Sequence, residues 1–494
     1  MMKANNNIED VPMPIKVEEG YFKEVFKNCG DVKFETYTLG LKATDYIFIY
    51  TEGLIASDKI NEIILPSLSK MQTNQDGNVQ ITHRLLQINP IEVKTAKDMT
   101  DVITKIFSGE LILLTNEELY SINIANPPIR TPEESNTESS IRGPRDGFIE
   151  DITTNIALIR KRLKTKSLAV ENFVLGTRSK TKVSLLYVSD VIDKSIVDEV
   201  KKRINNIEID VVVSSSELEE LLADRKLSLF PLIDYIGTAD FAVTSLIRGR
   251  FIVIIDGVPN VLIGPTNLLH LLKSPDDAHS PFYIIAFQRL LRLVGITLAI
   301  FLPGFWLSVS VFNMDQIPFP LLATITVSRM GLPFSATIEL LLMLGLFELF
   351  REAGIRLPKA VGQTVAVVGG LIIGESAIQA GITSPTMLVV TGVTVVSSFT
   401  LVNQSLNGTV VLLRFFVVIL SAFLGMFGFI MALLFIVLYL STIKSFGVPY
   451  LTPISPLVLE ELTGAVLRLP WSKLRKRPES LRAVNTTRQG DDTP

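Results

Sequence analysis

The rhythm of apolar and polar positions changes near residue 283. Before it, short apolar runs alternate with charged stretches, as in soluble domains. Asp45–Tyr50 (DYIFIY) and Leu111–Thr115 (LILLT) predict short buried strands, and the apolar spacing of Lys59–Leu68 and Ala96–Phe107 predicts helices between them. A Pro/Ser/Glu-rich stretch follows, with a linker over 131–144. Beyond it, Ile152, Ile156, Ile159 and Leu163 share one face of a predicted helix over Phe148–Lys164. The other face carries Arg160, Lys161, Arg162 and Lys164, which suits a solvated surface or a contact with anionic lipid or a partner. Strands are predicted at Val183–Val188, Ile207–Val213 and Phe251–Ile255. The last of these returns through an Asp256–Gly257 turn into Val261–Ile263.

After residue 283 the runs lengthen and lose their charges. Leu293–Phe312 is long enough to span a bilayer, with Pro303–Gly304 interrupting it, and Leu332–Phe350 is a second candidate. Val361–Val402 is rich in Gly, Ser and Thr and is interrupted at Gly381–Pro385. Phe415–Ile443 is an uncharged run that one tilted span would fill. Arg289 and Arg292 before the first span, Arg351, Arg356 and Lys359 after the second, and Lys444, Arg468, Lys473, Arg475, Lys476 and Arg477 after the last all mark cytosolic flanks. Both termini are then inside and the crossings are even in number. Four spans result if 361–402 crosses once with its other half re-entrant. Two crossings there would require the last run to be a hairpin, which Gly425–Gly428 permits.

The expected fold is therefore a cytosolic α/β region followed by an all-α polytopic transmembrane bundle. The α/β region comprises two small mixed-sheet subdomains, 1–130 and 145–282. The bundle covers 283–443 and a cytosolic tail covers 444–494. Residues after Arg477 are expected to be disordered. A composition 48% apolar and 20% charged agrees with a chain partly in lipid, and a net charge of −3 argues against nucleic-acid binding. MMKANNNIEDVPMPI has no apolar core, so no secretory leader is expected. The single cysteine, Cys29, excludes an intrachain disulfide. His83, His270 and His279 lack metal-ligand spacing, and no phosphate loop or dinucleotide fingerprint is present. Neither an enzyme nor a cofactor or metal site is expected.

The candidate chemistry lies in the apolar half. Glu339, Glu348 and Glu375 are costly in lipid and must face protein or water. Glu348, beside Arg351 and Glu352, reads as interfacial. Glu375 and Gln379 form a polar stripe beside a small-residue face of Gly370, Gly374, Ala377 and Gly381, which suits a cavity lining or a buried interhelical hydrogen bond. Glu339 and Arg414 stand at comparable depths and are expected to pair, within or between subunits. On a helix over Pro385–Val402, Thr391, Thr394 and Ser398 fall on one face with Val395 beside them, while Val389, Val393 and Val396 face the other way. Hydroxyls around a valine band suit a pore that closes by dewetting; an ordinary packed helix would show the same pattern.

Three stretches carry a family resemblance. They are GPRDGFIEDITTNIALIRKRL (Gly143–Leu163), GRFIVIIDGVPNVLIGP (Gly249–Pro265), and the whole run Met330–Pro385. Together they resemble the A subunit of GerA-type spore germination receptors over residues 20–475. Two departures fall near the membrane entry: Ile247–Arg248 stands where the family has an acidic residue, and Ala278–His279–Ser280–Pro281 intervenes before Phe282–Tyr283. The resemblance implies the inner membrane of a dormant endospore. It also implies a complex with a transporter-like B subunit and a lipoprotein C subunit, and a homo-oligomeric ring, a pentamer, that conducts ions once nutrient binds. Two other functions remain open on the residues alone. A broken Gly-rich helix with Glu375 also suits a secondary transporter, and a soluble domain on an apolar anchor suits a receptor scaffold.

Overall fold

The computed structural model describes residues 18–39, 44–73, 89–93, 96–115, 118–128, 147–356, 374–470 and 475–488. The linker 131–144, His83, Lys359, Gly370, Lys473 and the first part of 361–402 lie outside the described residues. The chain divides into two units. One is drawn from Met1–Lys226, Ile233–Pro265 and Arg475–Pro494, the other from Leu227–Leu232 and Thr266–Leu474.

The first unit holds two sheets. Strands β1 (Val32–Leu39), β2 (Thr44–Thr51), β3 (Asn89–Ile91), β4 (Glu110–Thr115) and β5 (Glu118–Asn123) lie in the order β1-β2-β4-β5-β3. Strands β6 (Leu168–Leu175), β7 (Thr181–Val188), β8 (Asp234–Ile236), β9 (Phe251–Ile255) and β10 (Val261–Gly264) lie in the order β6-β7-β9-β10-β8. Every ladder in both is antiparallel, not mixed as expected. The continuous apolar run of β9, buried at all five positions, reflects helices on both faces of the sheet, and that run is the same for either strand direction.

Each sheet is wrapped in the same way. Helices α1 (Glu19–Val25) and α3 (Ala96–Ile106) close one face of the first sheet, burying Phe22, Met99 and Val102 against Ile49 and Ile112. A helical stretch ending in α2 (Leu65–Thr73) closes the other with Ile60, Ile64 and Leu68. On the second sheet α4 (Ile152–Arg162) and α7 (Ala239–Ile247) cover one face with Ile156, Ile159, Ala242 and Leu246. Helices α5 (Lys194–Asn205) and α6 (Ser215–Leu222) lie between β7 and β8, and α6 packs on β10. Numbered within itself, each sheet has strand order 1-2-4-5-3, with helices at matching points of the chain. The two subdomains are thus a structural repeat.

Two further expectations in this unit are corrected. Ile207–Val213 forms no ladder strand; only Val212 is buried, and the segment instead accepts hydrogen bonds from Thr177 and Arg178 at the β6–β7 turn. Residues 478–488 are placed, where disorder was expected after Arg477. Leu481 is 1% exposed, Val484 N–H donates to the Val191 carbonyl, and Arg477 Nε donates at 2.8 Å to the Ile247 carbonyl at the end of α7. One apolar anchor and a cation on a helix C-terminus suffice to hold a polar segment.

The second unit is helical: α8 (Phe282–Leu307), α9 (Phe319–Ser328), α10 (Ala336–Arg356), α11 (Pro385–Ser398), α12 (Gln404–Thr442) and α13 (Leu459–Val466). Pro303 does not break α8, which continues into a wider turn over Ser308–Phe312. Arg289 and Arg292 of α8 are buried on one carboxylate, Asp277, at 2.8 and 3.1 Å. Among the described residues two helices, Phe282–Phe312 and Ser405–Thr442, are long and apolar enough to cross a membrane.

The second of these does not run straight. Gly425 has φ 57 and ψ −137, a region open essentially to glycine. A Cβ there would lie 2.7 Å from the Phe312 ring. The Leu229 carbonyl accepts from Thr409 Oγ1, before the reversal, and the Leu229 N–H donates at 3.0 Å to the Tyr439 hydroxyl, after it. In one straight helix those side chains would be about 45 Å apart at 1.5 Å per residue. Helix α12 is therefore a hairpin with limbs about 30 and 25 Å long, not the single tilted span expected for its apolar run.

Candidate functional site

Polar side chains inside an apolar bundle are costly unless satisfied, so their placement marks where the helical unit is specialised. Glu339, in the first turn of α10, is 1% exposed. One carboxylate oxygen accepts from the Ser384 N–H and hydroxyl, both at 2.6 Å, and from the Thr383 hydroxyl at 3.0 Å. Arg329 Nε lies 3.8 Å from the other oxygen. Ser384 is the N-cap of α11, its hydroxyl also accepting from the Met387 N–H. The Ser-Pro pair at 384–385 supplies both the cap and a residue pre-set for the first helical turn. Glu339 thus places a negative charge at the positive end of α11.

Arg414, on the first limb of α12, is buried at the opposite end of α11. Its Nε donates at 2.7 Å to the Ala299 carbonyl of α8, and its Nη2 donates to the hydroxyl of Ser398, the last residue of α11. The expected Glu339–Arg414 pair is accordingly not formed within the chain. Each charge has nearer partners, and together they bracket α11 with signs that complement its dipole.

The hydroxyl face of α11 is turned inward. Thr391 and Thr394 are fully buried and donate back one turn to the carbonyls of Met387 and Val390, and Ser398 is buried against Arg414. Within one chain Thr391, Thr394 and Ser398 thus follow the packed-helix alternative. Val389, Val393 and Val396 are the exposed residues, and Val395 is half-buried beside them. The physical reason is that a hydroxyl is best satisfied inside the bundle, whereas valine loses nothing on a lipid-facing or subunit-facing surface.

Glu375 and Gln379 remain exposed, and Gln379 Nε2 donates to Glu375 at 3.3 Å. Glu348 pairs with Arg351 one turn on, in keeping with an interfacial position. Arg329, Thr383 and Ser384 were not singled out from sequence, although Ser-Pro before an apolar run is a helix-start signal that marks Ser384. Among the described residues no group of three His, Cys, Asp or Glu is placed to hold a metal ion.

Residues 20–480 match the sequence family described as Bacillus/Clostridium GerA spore germination protein. The chain is 41% identical over 482 residues to spore germination protein XA of Bacillus anthracis, covering 96% of this chain and 98% of that one. It is 32% identical over 491 residues to spore germination protein GerLA of Bacillus cereus, covering 99% and 98%. Among solved structures it is similar to the N-terminal domain of the A subunit of the Bacillus megaterium spore germinant receptor GerK3, at 26% identity and a TM-score of 0.38, covering 50% of this chain and 92% of that one.

Proposed function

The chain belongs to the GerA family of Bacillus/Clostridium spore germination proteins, and on that premise we propose that it is the A subunit of a nutrient germinant receptor in the endospore inner membrane, where copies assemble into a nutrient-gated ion channel that triggers germination. The observation that carries the channel reading is the bracketing of α11. Glu339 holds one end, Arg414 the other, and the hydroxyls between are spent on the chain's own backbone. A helix fixed so firmly keeps its remaining face, Val389, Val393 and Val396, free for neighbouring copies and for a pore. A ring of such valines closes by dewetting. The Glu375–Gln379 pair offers a polar surface on the preceding segment, and Val395 borders the valine row.

The hairpin at Gly425 favours more crossings than four: α8, α10, α11 and the two limbs of α12 already make five, and cytosolic flanks at both ends call for an even total. Partners of this reading are a transporter-like B subunit, a lipoprotein C subunit, further copies of this chain in a ring, a pentamer, and membrane lipid.

The break before α11 favours one competing reading. A helix N-terminus aimed at a buried carboxylate is also a transporter device. Purified complex in planar bilayers separates the two. Step-like currents that become leaky with Val393→Ser or Val396→Ser support the channel. Slow saturable flux supports the transporter, and no flux of either kind supports a scaffold.

A further inference from the structure

The six residues Leu227–Leu232 (LSLFPL) follow α6 and precede β8, yet they pack within the helical unit. Phe230 is 2% exposed, with its ring 6.2 Å from Tyr439 and 5.7 Å from Tyr450. The Leu229 backbone is held on both sides, its N–H by Tyr439 of the second limb of α12 and its carbonyl by Thr409 of the first. The Leu232 carbonyl accepts at 2.7 Å from Ser445, whose hydroxyl also accepts from the Thr266 N–H. A buried ring, three hydrogen bonds and both limbs of one hairpin converge on a loop whose two ends are covalently part of the α/β unit.

We propose that Leu227–Leu232 is a clasp that transmits movement of the α/β unit to the open end of the α12 hairpin. The inference rests on the gated-channel reading for its purpose but on these contacts for its existence. The loop has no slack on its C-terminal side: only the buried Ile233 stands between Leu232 and β8, which begins at Asp234. Any rotation of the sheet that carries β8 must therefore either pull Phe230 from between the tyrosines or shift the limb ends with it. The first limb also carries Arg414, which holds the end of α11, so a shift of that limb reaches the valine-faced helix through one guanidinium. Coupling of this kind needs a physical element gripped at both ends, and this loop is one.

Two measurements test the clasp. The first slackens its tethers and leaves its contacts intact: Gly-Ser-Gly inserted after Lys226 and again after Leu232, with the same insertion at Gly257, an open turn, as control. In spores carrying this chain and its partner subunits as sole receptor, ion release on adding a mixture of L-amino acids, glucose and inosine is read by conductivity. The doubly slackened receptor should release ions about tenfold more slowly, with the control near wild type. A wild-type response from the slackened receptor overturns the clasp. The second measurement does not depend on conduction. Amide exchange of the full-length complex in nanodiscs should speed about tenfold at both limb ends, 405–411 and 436–443, in Phe230→Ala. Unchanged exchange at either limb overturns the clasp even if the receptor conducts. Faster exchange at both in a complex that passes no ions upholds the clasp and removes the channel reading instead.

Discussion

Arg160 grips Asp31 with both arms of its guanidinium: Nε and Nη2 donate at 2.7 Å to the two carboxylate oxygens, and the pair is almost wholly buried. The same guanidinium donates to the carbonyls of Thr165 and Leu168 and lies 4.2 Å from the centre of the Phe107 ring. Asp31 and Phe107 belong to the first subdomain, Arg160 to the second. Beside them Cys29 and Val170 form a parallel bridge, and Gly30 N–H donates to the Val170 carbonyl. The two halves of the structural repeat are fastened here. Arg160 is therefore not part of a solvated basic face, and Arg162 is also engaged, with Asp240 at 2.5 Å.

Removing one partner of this pair leaves a buried charge without compensation. Arg160→Ala or Asp31→Ala should cost the α/β unit about 3–5 kcal/mol. Replacing both by apolar residues, Arg160→Met with Asp31→Leu, should recover most of that loss. Urea titration of the full-length protein read by pulse proteolysis measures it; equal losses in the double and single variants would contradict the account.

The α12 hairpin predicts sidedness. In a Cys29→Ser background, single cysteines at Asn403 and Lys444 should react with an impermeant thiol reagent from the same side of the membrane, and one at Phe427 from the other. A straight spanning helix would put Asn403 and Lys444 on opposite sides. Gly425→Ala should impair assembly, because its Cβ would meet Phe312 and its backbone angle suits glycine.

Couplings around α11 follow from its two ends. Glu339→Gln combined with Ser384→Ala should deviate from additivity by about 1–3 kcal/mol. Glu339→Gln combined with Arg414→Gln should be additive within about 0.5 kcal/mol, because the two charges share no partner. Stability of the detergent-solubilised complex to heat is a suitable readout, and the reverse ranking would restore a direct charge pair.

Glu219 on α6 is held up to about 7 by burial and by the Asp234 carboxylate on β8. Its folded value lies above the ordinary 4.5, so the folded state binds the proton more tightly than the unfolded chain. Stability from this group is present below about pH 4.5 and is lost as the pH rises through 7. Glu219→Gln should raise stability at pH 8 by on the order of 1–2 kcal/mol, allowing for partial exposure, and change little at pH 4. A larger gain at pH 4 than at pH 8 would refute the assignment.

The amino-acid sequence by itself determined the division into an α/β part and an apolar helical part, and most of the central strands. Runs such as FIVII can be stable only with both sheet faces covered. It also determined that Glu339, Arg414 and Glu375 need special surroundings, since charge in lipid is expensive wherever it falls. Tertiary structure alone decided which partners satisfy them. Arg160, Arg414 and Leu229 are each held by residues more than a hundred positions away, or across a reversal that a single glycine angle permits. The repeat of strand order 1-2-4-5-3 was equally invisible, because topology survives while side chains diverge so long as each face keeps its apolar pattern. The direction in which a helix turns its hydroxyls is likewise a choice between two faces of the same periodicity. Spacing defines both faces of α11, but only the packing of α8 and α10 against it selected the one that is buried.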